Sequence, residues 1–234
     1  MVSTIDELHH WFGDSLVSSS GVDYAWIAAT DISSLIVSVS SDKTSNVALS
    51  PTLRQAINAS SSGDAGSAVQ LLRQAALEQP TSAVPHFLLG AEFAQSGEMP
   101  DAEAAFSNAV LLAPRFDMAR FQLGLVQFTC GRAAVALVTW QPLFLLDETD
   151  PLRAFVNGFA ALAQDQFAQA HERFARGVEL NSSNAALNAD MRKVMQRIQD
   201  HVQGNRNGTD KTHESAESGA HVLLSNYRSN DPKN

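Results

Sequence analysis

The side chains able to do chemistry in this chain of 234 residues are few: seven histidines and one cysteine. His9 and His10 are adjacent, whereas two helix-borne ligands reach one ion comfortably only at one-turn spacing, as in HExxH. His86, His171 and His201 each stand alone and read as surface or capping residues. With Cys130 the only cysteine, an intrachain disulfide and a CxxC or Cys/His zinc site are both excluded. Arg132 is the one nearby cation that would draw the Cys130 thiol toward thiolate. No GxSxG, P-loop or GxGxxG segment occurs. The residues therefore predict no catalytic set, no metal site and no cofactor.

Charge narrows the partners. Apolar residues make up 44% of the chain and charged ones 18%, below the roughly 25% usual in soluble domains. The net charge of -9 disfavours nucleic acid, whose phosphates select basic surfaces, and disfavours anionic membranes for the same reason. Met1 to Glu7 lacks a basic segment leading into an apolar one, so a secretory signal is not expected. The longest uncharged apolar run, Ala133 to Leu146, contains Thr139, Gln141 and Pro142 and is too short to span a bilayer. A cytoplasmic protein with no membrane partner is the expectation.

The elements carrying these residues repeat. Gly63, Gly97 and Gly131 are spaced 34 residues apart. The same step links Ala68, Ala102, Ala136 and Ala170, and also Leu72, Phe106, Trp140 and Phe174. Pro80 and Pro114 follow it over two copies. In register the units run 49–82, 83–116, 117–150 and 151–184, each predicted as helix, turn, helix. Gly90, Gly124 and Gly158 fall where paired helices must cross closely, and the first unit has Ala56 there. Gly63, Gly97 and Gly131 follow each first helix, where a left-handed residue suits glycine; the fourth unit has Asp165. Pro142 predicts a kink in the second helix of unit three. Residues 185–202 continue as a helix with a polar side, the expected cap of a repeat array.

Flanking segments differ in composition. Residues 1–48 carry six acidic side chains and one basic one, Lys43. Ile5 to Leu16 has helical character, with Thr4 and Glu7 forming a capping box, and Ser34 to Val39 has strand character. Residues 203–234 are predicted to be disordered apart from the apolar island His221 to Tyr227.

A period of about 34 residues with these small and large positions resembles the tetratricopeptide repeat. The resemblance covers about two thirds of the chain. It implies an all-α fold, an α–α superhelix of four units with a C-terminal cap, in which the first helix of each unit lines a concave face. Carried over, that face would hold Leu53 and Ile57 in unit one, and Phe87, Ala91 and Ala94 in unit two. Unit three would add Met118, Phe121, Leu125 and Phe128, and unit four Leu152, Phe155, Phe159 and Leu162. Some members of the family clamp C-terminal carboxylates with basic side chains; here Arg120 and Arg153 fall off the predicted face, so a clamp is not expected.

The functional expectation is a non-catalytic module that binds a peptide or helix of a partner protein in an apolar groove. The peptide-binding set would be Phe87, Ala91, Met118, Phe121, Leu125, Phe128, Leu152, Phe155, Phe159 and Leu162. Phe and Leu at helical spacing are equally the signature of plain core, and the chain's own apolar segments could fill the groove. Two alternatives stand beside the first. One is a chaperone resembling the tetratricopeptide proteins of bacterial type III secretion, which hold apolar cargo. The other is a homo-oligomeric scaffold joined through unit three around Trp140, Phe144 and Leu146.

Overall fold

In a computed structural model, the residues described are 50–204 together with Val17–Ser18 and Gly21–Val22. The Ile5–Leu16 helix, the Ser34–Val39 strand and the His221–Tyr227 island lie outside them. The two short strands, β1 (Val17–Ser18) and β2 (Gly21–Val22), pair antiparallel, Val17 opposite Val22. The chain divides into two units, 1–193 and 194–234.

The larger unit is built of helix pairs. Helices α1 (Pro51–Ser61) and α2 (Ala65–Glu78) form unit one; α3 (Ala83–Gln95) and α4 (Met99–Leu112) form unit two. Unit three comprises α5 (Asp117–Thr129), α6 (Ala133–Thr139) and a 3-10 segment at Gln141–Leu145. Unit four comprises α7 (Pro151–Leu162) and α8 (Phe167–Leu180). A further helix, α9, covers 185–204; 185–193 lies in the larger unit and 194–204 in the smaller. Each first helix packs on its own second helix, and each second helix packs on the first helix of the next unit, with the 3-10 segment taking this role toward α7. Consecutive packing of helix pairs at this period is the tetratricopeptide-type α–α solenoid.

Local chemistry explains where the helices begin and end. Ser50, Asp64 and Asp150 accept hydrogen bonds from the backbone N–H groups of Leu53, Ser67 and Leu152, satisfying donors with no partner inside the helix. Each first helix closes in one way. In unit two the Gly97 N–H donates to Ala94 O at 3.1 Å and the Glu98 N–H to Phe93 O at 2.8 Å. This double closure requires a residue with positive φ, and Gly63, Gly97 and Gly131 supply it at 80°, 79° and 75°. Asp165 holds the same place in unit four at 57°, a conformation that Asp adopts more readily than most side chains.

The two helices of a unit interlock through a glycine and an aromatic ring. A Cβ placed on Gly90 would lie 2.6 Å from Phe106, and one on Gly158 would lie 2.8 Å from Phe174. On Gly124 it would collide with the Trp140 indole. Unit one solves the same crossing with a smaller pair, Ala56 and Leu72, both buried. Unit four adds a reciprocal contact: Gly177 on α8 makes room for Phe155 of α7.

In unit three α6 stops at Thr139, and Trp140 begins the tighter 3-10 turn that carries Pro142 at its start. The missing proline N–H and ring volume end the α-helix, as Pro142 predicts. Trp140 is wholly buried, with its Nε1–H donating to Phe121 O at 3.0 Å. A self-association surface built on Trp140 is therefore not available; Phe144 and Leu146 are half-buried and Leu145 between them is exposed.

Candidate interaction face on the first helices

Helices α3, α5 and α7 bring together the residues expected to bind a peptide. Eight of the ten are shielded from solvent: Phe87, Phe121, Leu125, Phe128, Leu152, Phe155, Phe159 and Leu162. Ala91 and Met118 are half-exposed. Of the other first-helix positions expected on this face, Leu53 and Ala94 are buried and Ile57 is half-exposed.

Five rings join units three and four. Phe121 lies 6.2 Å from Phe155 and 6.4 Å from Phe159, centroid to centroid. Phe128 lies 5.2 Å and Trp140 5.3 Å from Phe159. In unit two Phe87 sits between Phe106, at 5.5 Å, and Phe116, at 4.9 Å. Tilted and edge-on pairs at these distances add to the burial energy of the rings. The cluster gives α5 an unusual character: all eight residues from Phe121 to Phe128 are buried, more than two turns without a solvent-facing side chain. Sequence periodicity alone placed these rings on a helix face without distinguishing a face that binds from one that joins units.

Polar groups secure the edges of this face. Arg120 donates to Pro114 O at 2.9 Å, and Arg153 donates to Leu146 O at 2.9 Å. Both guanidinium groups tie down chain turns. Asn157, at a position where units two and three have leucine, donates to Arg153 O one turn back at 2.7 Å. Between units two and three, Glu103 pairs with Arg132 and accepts from Gln127 Nε2 at 3.2 Å, while the Thr139 hydroxyl donates to Gln127 Oε1 at 2.7 Å. The Arg132 guanidinium holds the Glu103 carboxyl below its ordinary pKa, outweighing partial burial. On the α1–α3 side, the Ser60 hydroxyl donates to buried Glu92.

The chemistry-bearing residues do not converge. Burial pushes the Cys130 thiol above its ordinary pKa; Arg132, which draws it down, is the smaller influence. Partial burial lowers the His86 pKa. Among the described residues, no group of three His, Cys, Asp or Glu side chains is placed to hold a metal ion. No helix among them is long and apolar enough to cross a membrane.

No protein-family model matches the sequence, and no curated protein matches it. The solved structures that it matches include the following three. MamA residues 41-end from Desulfovibrio magneticus RS-1 is 17% identical, with a TM-score of 0.49 over 79% of this chain and all of that one. TTC0263, a thermophilic tetratricopeptide protein of Thermus thermophilus, is 15% identical, with a TM-score of 0.49 over 70% of this chain and 89% of that one. The APC/C hetero-tetramer Cut9–Hcn1 is 16% identical, with a TM-score of 0.35 over 86% of this chain and 48% of the matched chain. The assignment of the fold rests on this chain's own 34-residue period, turn closures and interlocking rings.

Proposed function

We propose that this tetratricopeptide-like solenoid is a non-catalytic protein–protein interaction module that seats a peptide or helix of a partner along the first helices of units two to four. One observation carries the proposal: of the ten first-helix residues expected to bind a peptide, Ala91 and Met118 keep partial exposure while the other eight form a buried apolar layer. The chain's own packing already encloses α5 from Phe121 to Phe128, so a partner would bind over the two residues that stay partly exposed. A partner segment is the cover that a solenoid's first-helix face is built to accept. The half-exposed Ala91 and Met118 are where it would first make contact, with Phe121, Leu125, Phe155 and Phe159 as the apolar layer beneath. Each large apolar side chain taken further from water contributes up to roughly 1.5–3 kcal/mol, part of which offsets the ordering of the bound segment.

The accessible residues give the test. Full-length protein is used to capture partners from the native lysate, beside a Met118→Glu, Ala91→Glu variant. Neither site is fully buried, so helix content should be unchanged. A partner retained by the parent and lost by the variant is the expected result. Equal recovery by both would refute this seat. Phe121→Glu or Phe155→Glu is a poor probe, because either carboxylate would enter the aromatic cluster and destabilise the fold itself.

A further inference from the structure

The side of the first helices turned away from the second helices is closed to solvent. Gly90, Gly124 and Gly158 face the second helix of their own unit, against Phe106, Trp140 and Phe174. A residue two places earlier sits about 200° round the helix, on the opposite side. Those residues are Leu88, Gln122 and Val156, one per unit at the 34-residue step. They are only 6%, 3% and 0% exposed. In unit one the equivalent residue is Arg54, which is exposed. A cover therefore lies over units two to four and leaves unit one open. The elements packed most closely on α5 are α4, α6 and, less extensively, α7. Neighbouring first helices run side by side at about 8–10 Å, so they flank these side chains without crossing over them.

The chain itself supplies the cover. Residues 1–49 fall in the same compact unit as the repeats, whereas 194–234 form a unit of their own. Of residues 1–48, 22 are apolar and seven are charged, and two of the chain's three tryptophans, Trp11 and Trp26, are among them. That composition calls for burial and is not that of a solvated linker. The outer side of the repeats is not where it is buried, because Leu77 and Leu111 on the second helices and Leu145 on the 3-10 segment are largely exposed. Length is sufficient as well. At roughly 3.3 Å per residue an extended segment of this size spans about 150 Å, while three steps between first helices at about 10 Å take roughly 30 Å.

We infer that residues 1–48 are the occupant of this face, folded back over the first helices of units two to four. The inference deepens the peptide seat proposed above and in one respect rests on it: a partner reaches the apolar layer beneath Ala91 and Met118 by displacing the segment. The segment then acts as a built-in competitor that keeps the face from water until a partner arrives.

The test places p-benzoylphenylalanine at the Met118 site of the full-length protein, and at the Leu111 site as the control. Met118 is half-exposed and Leu111 faces water, so neither replacement should change helix content. Irradiation should join the Met118 site to a peptide within 1–48 of the same chain, in a yield that dilution does not change. The Leu111 site should give no such link. No link from the Met118 site into 1–48, an equal link from the Leu111 site, or a link that joins two chains would each overturn the proposal. A link from the Met118 site in a protein whose Met118→Glu, Ala91→Glu variant captures the same partners as the parent would refute the peptide seat alone and leave the occupant in place.

Discussion

Gly124 states the packing problem of the repeat at one residue. Any side chain there meets the Trp140 indole, which is wholly buried and held to Phe121 O, so neither partner gives way cheaply. Gly124→Ala should therefore destabilise the protein by about 1–3 kcal/mol, the usual range for an overpacked core. Unit one shows the remedy, since its equivalent positions hold Ala56 and Leu72, both buried, with no aromatic ring. In a Trp140→Leu background the alanine should cost much less. Urea unfolding of the four proteins in the cycle measures the coupling, expected at about 0.5–3 kcal/mol. Equal costs in both backgrounds would refute the slot. This residue type was legible from spacing because glycine and ring recur together. Gly177 was not, because the equivalent positions are Ala75, Ala109 and Leu143, so glycine leaves no period there.

Between elements, the clip of Glu103 on α4 with Arg132 at the start of α6 spans the junction of units two and three, beside the packing of α4 on α5. The Glu103 pKa is lowered in the folded protein, so unfolding at low pH is accompanied by proton uptake. Its stabilisation is fully present above the ordinary carboxylate pKa and is lost as pH falls through the depressed folded value. Both groups are partly exposed, which limits the pair to about 1 kcal/mol. The urea midpoints of the parent and Glu103→Gln should differ at neutral pH and converge in acid; a constant gap would show that the carboxylate is not the source. At this scale the sequence was informative about order and uneven about detail. Helix pairs, the left-handed turns and the break at Pro142 follow from residue type, because Gly, Asp and Pro act on the backbone locally. The inter-unit clip does not, because Glu103 and Gln127 meet only through the packing of α4 on α5.

For the whole molecule the question is which faces take partners. Burial belongs to the assembled unit and not to any helix alone. For that reason Phe121, Leu125, Phe155 and Phe159 were legible as an apolar face but not as a closed one, while Met118 and Ala91 stay partly exposed. The row of Leu77, Leu111 and Leu145 was visible in principle at the same 34-residue step that revealed the glycines. Only solvent exposure separates it from the buried leucines around it. On the two proposals, the first helices serve a partner segment, and residues 1–48 hold that face until the partner displaces them. Hydrogen–deuterium exchange of the full-length protein, with and without the partner recovered by capture, tests that replacement most directly. Slowed exchange in α3, α5 and α7 with faster exchange in residues 1–48 on partner binding is the predicted result. Protection confined to α2, α4 and the Gln141–Leu145 turn, with α5 and residues 1–48 unchanged, would contradict it.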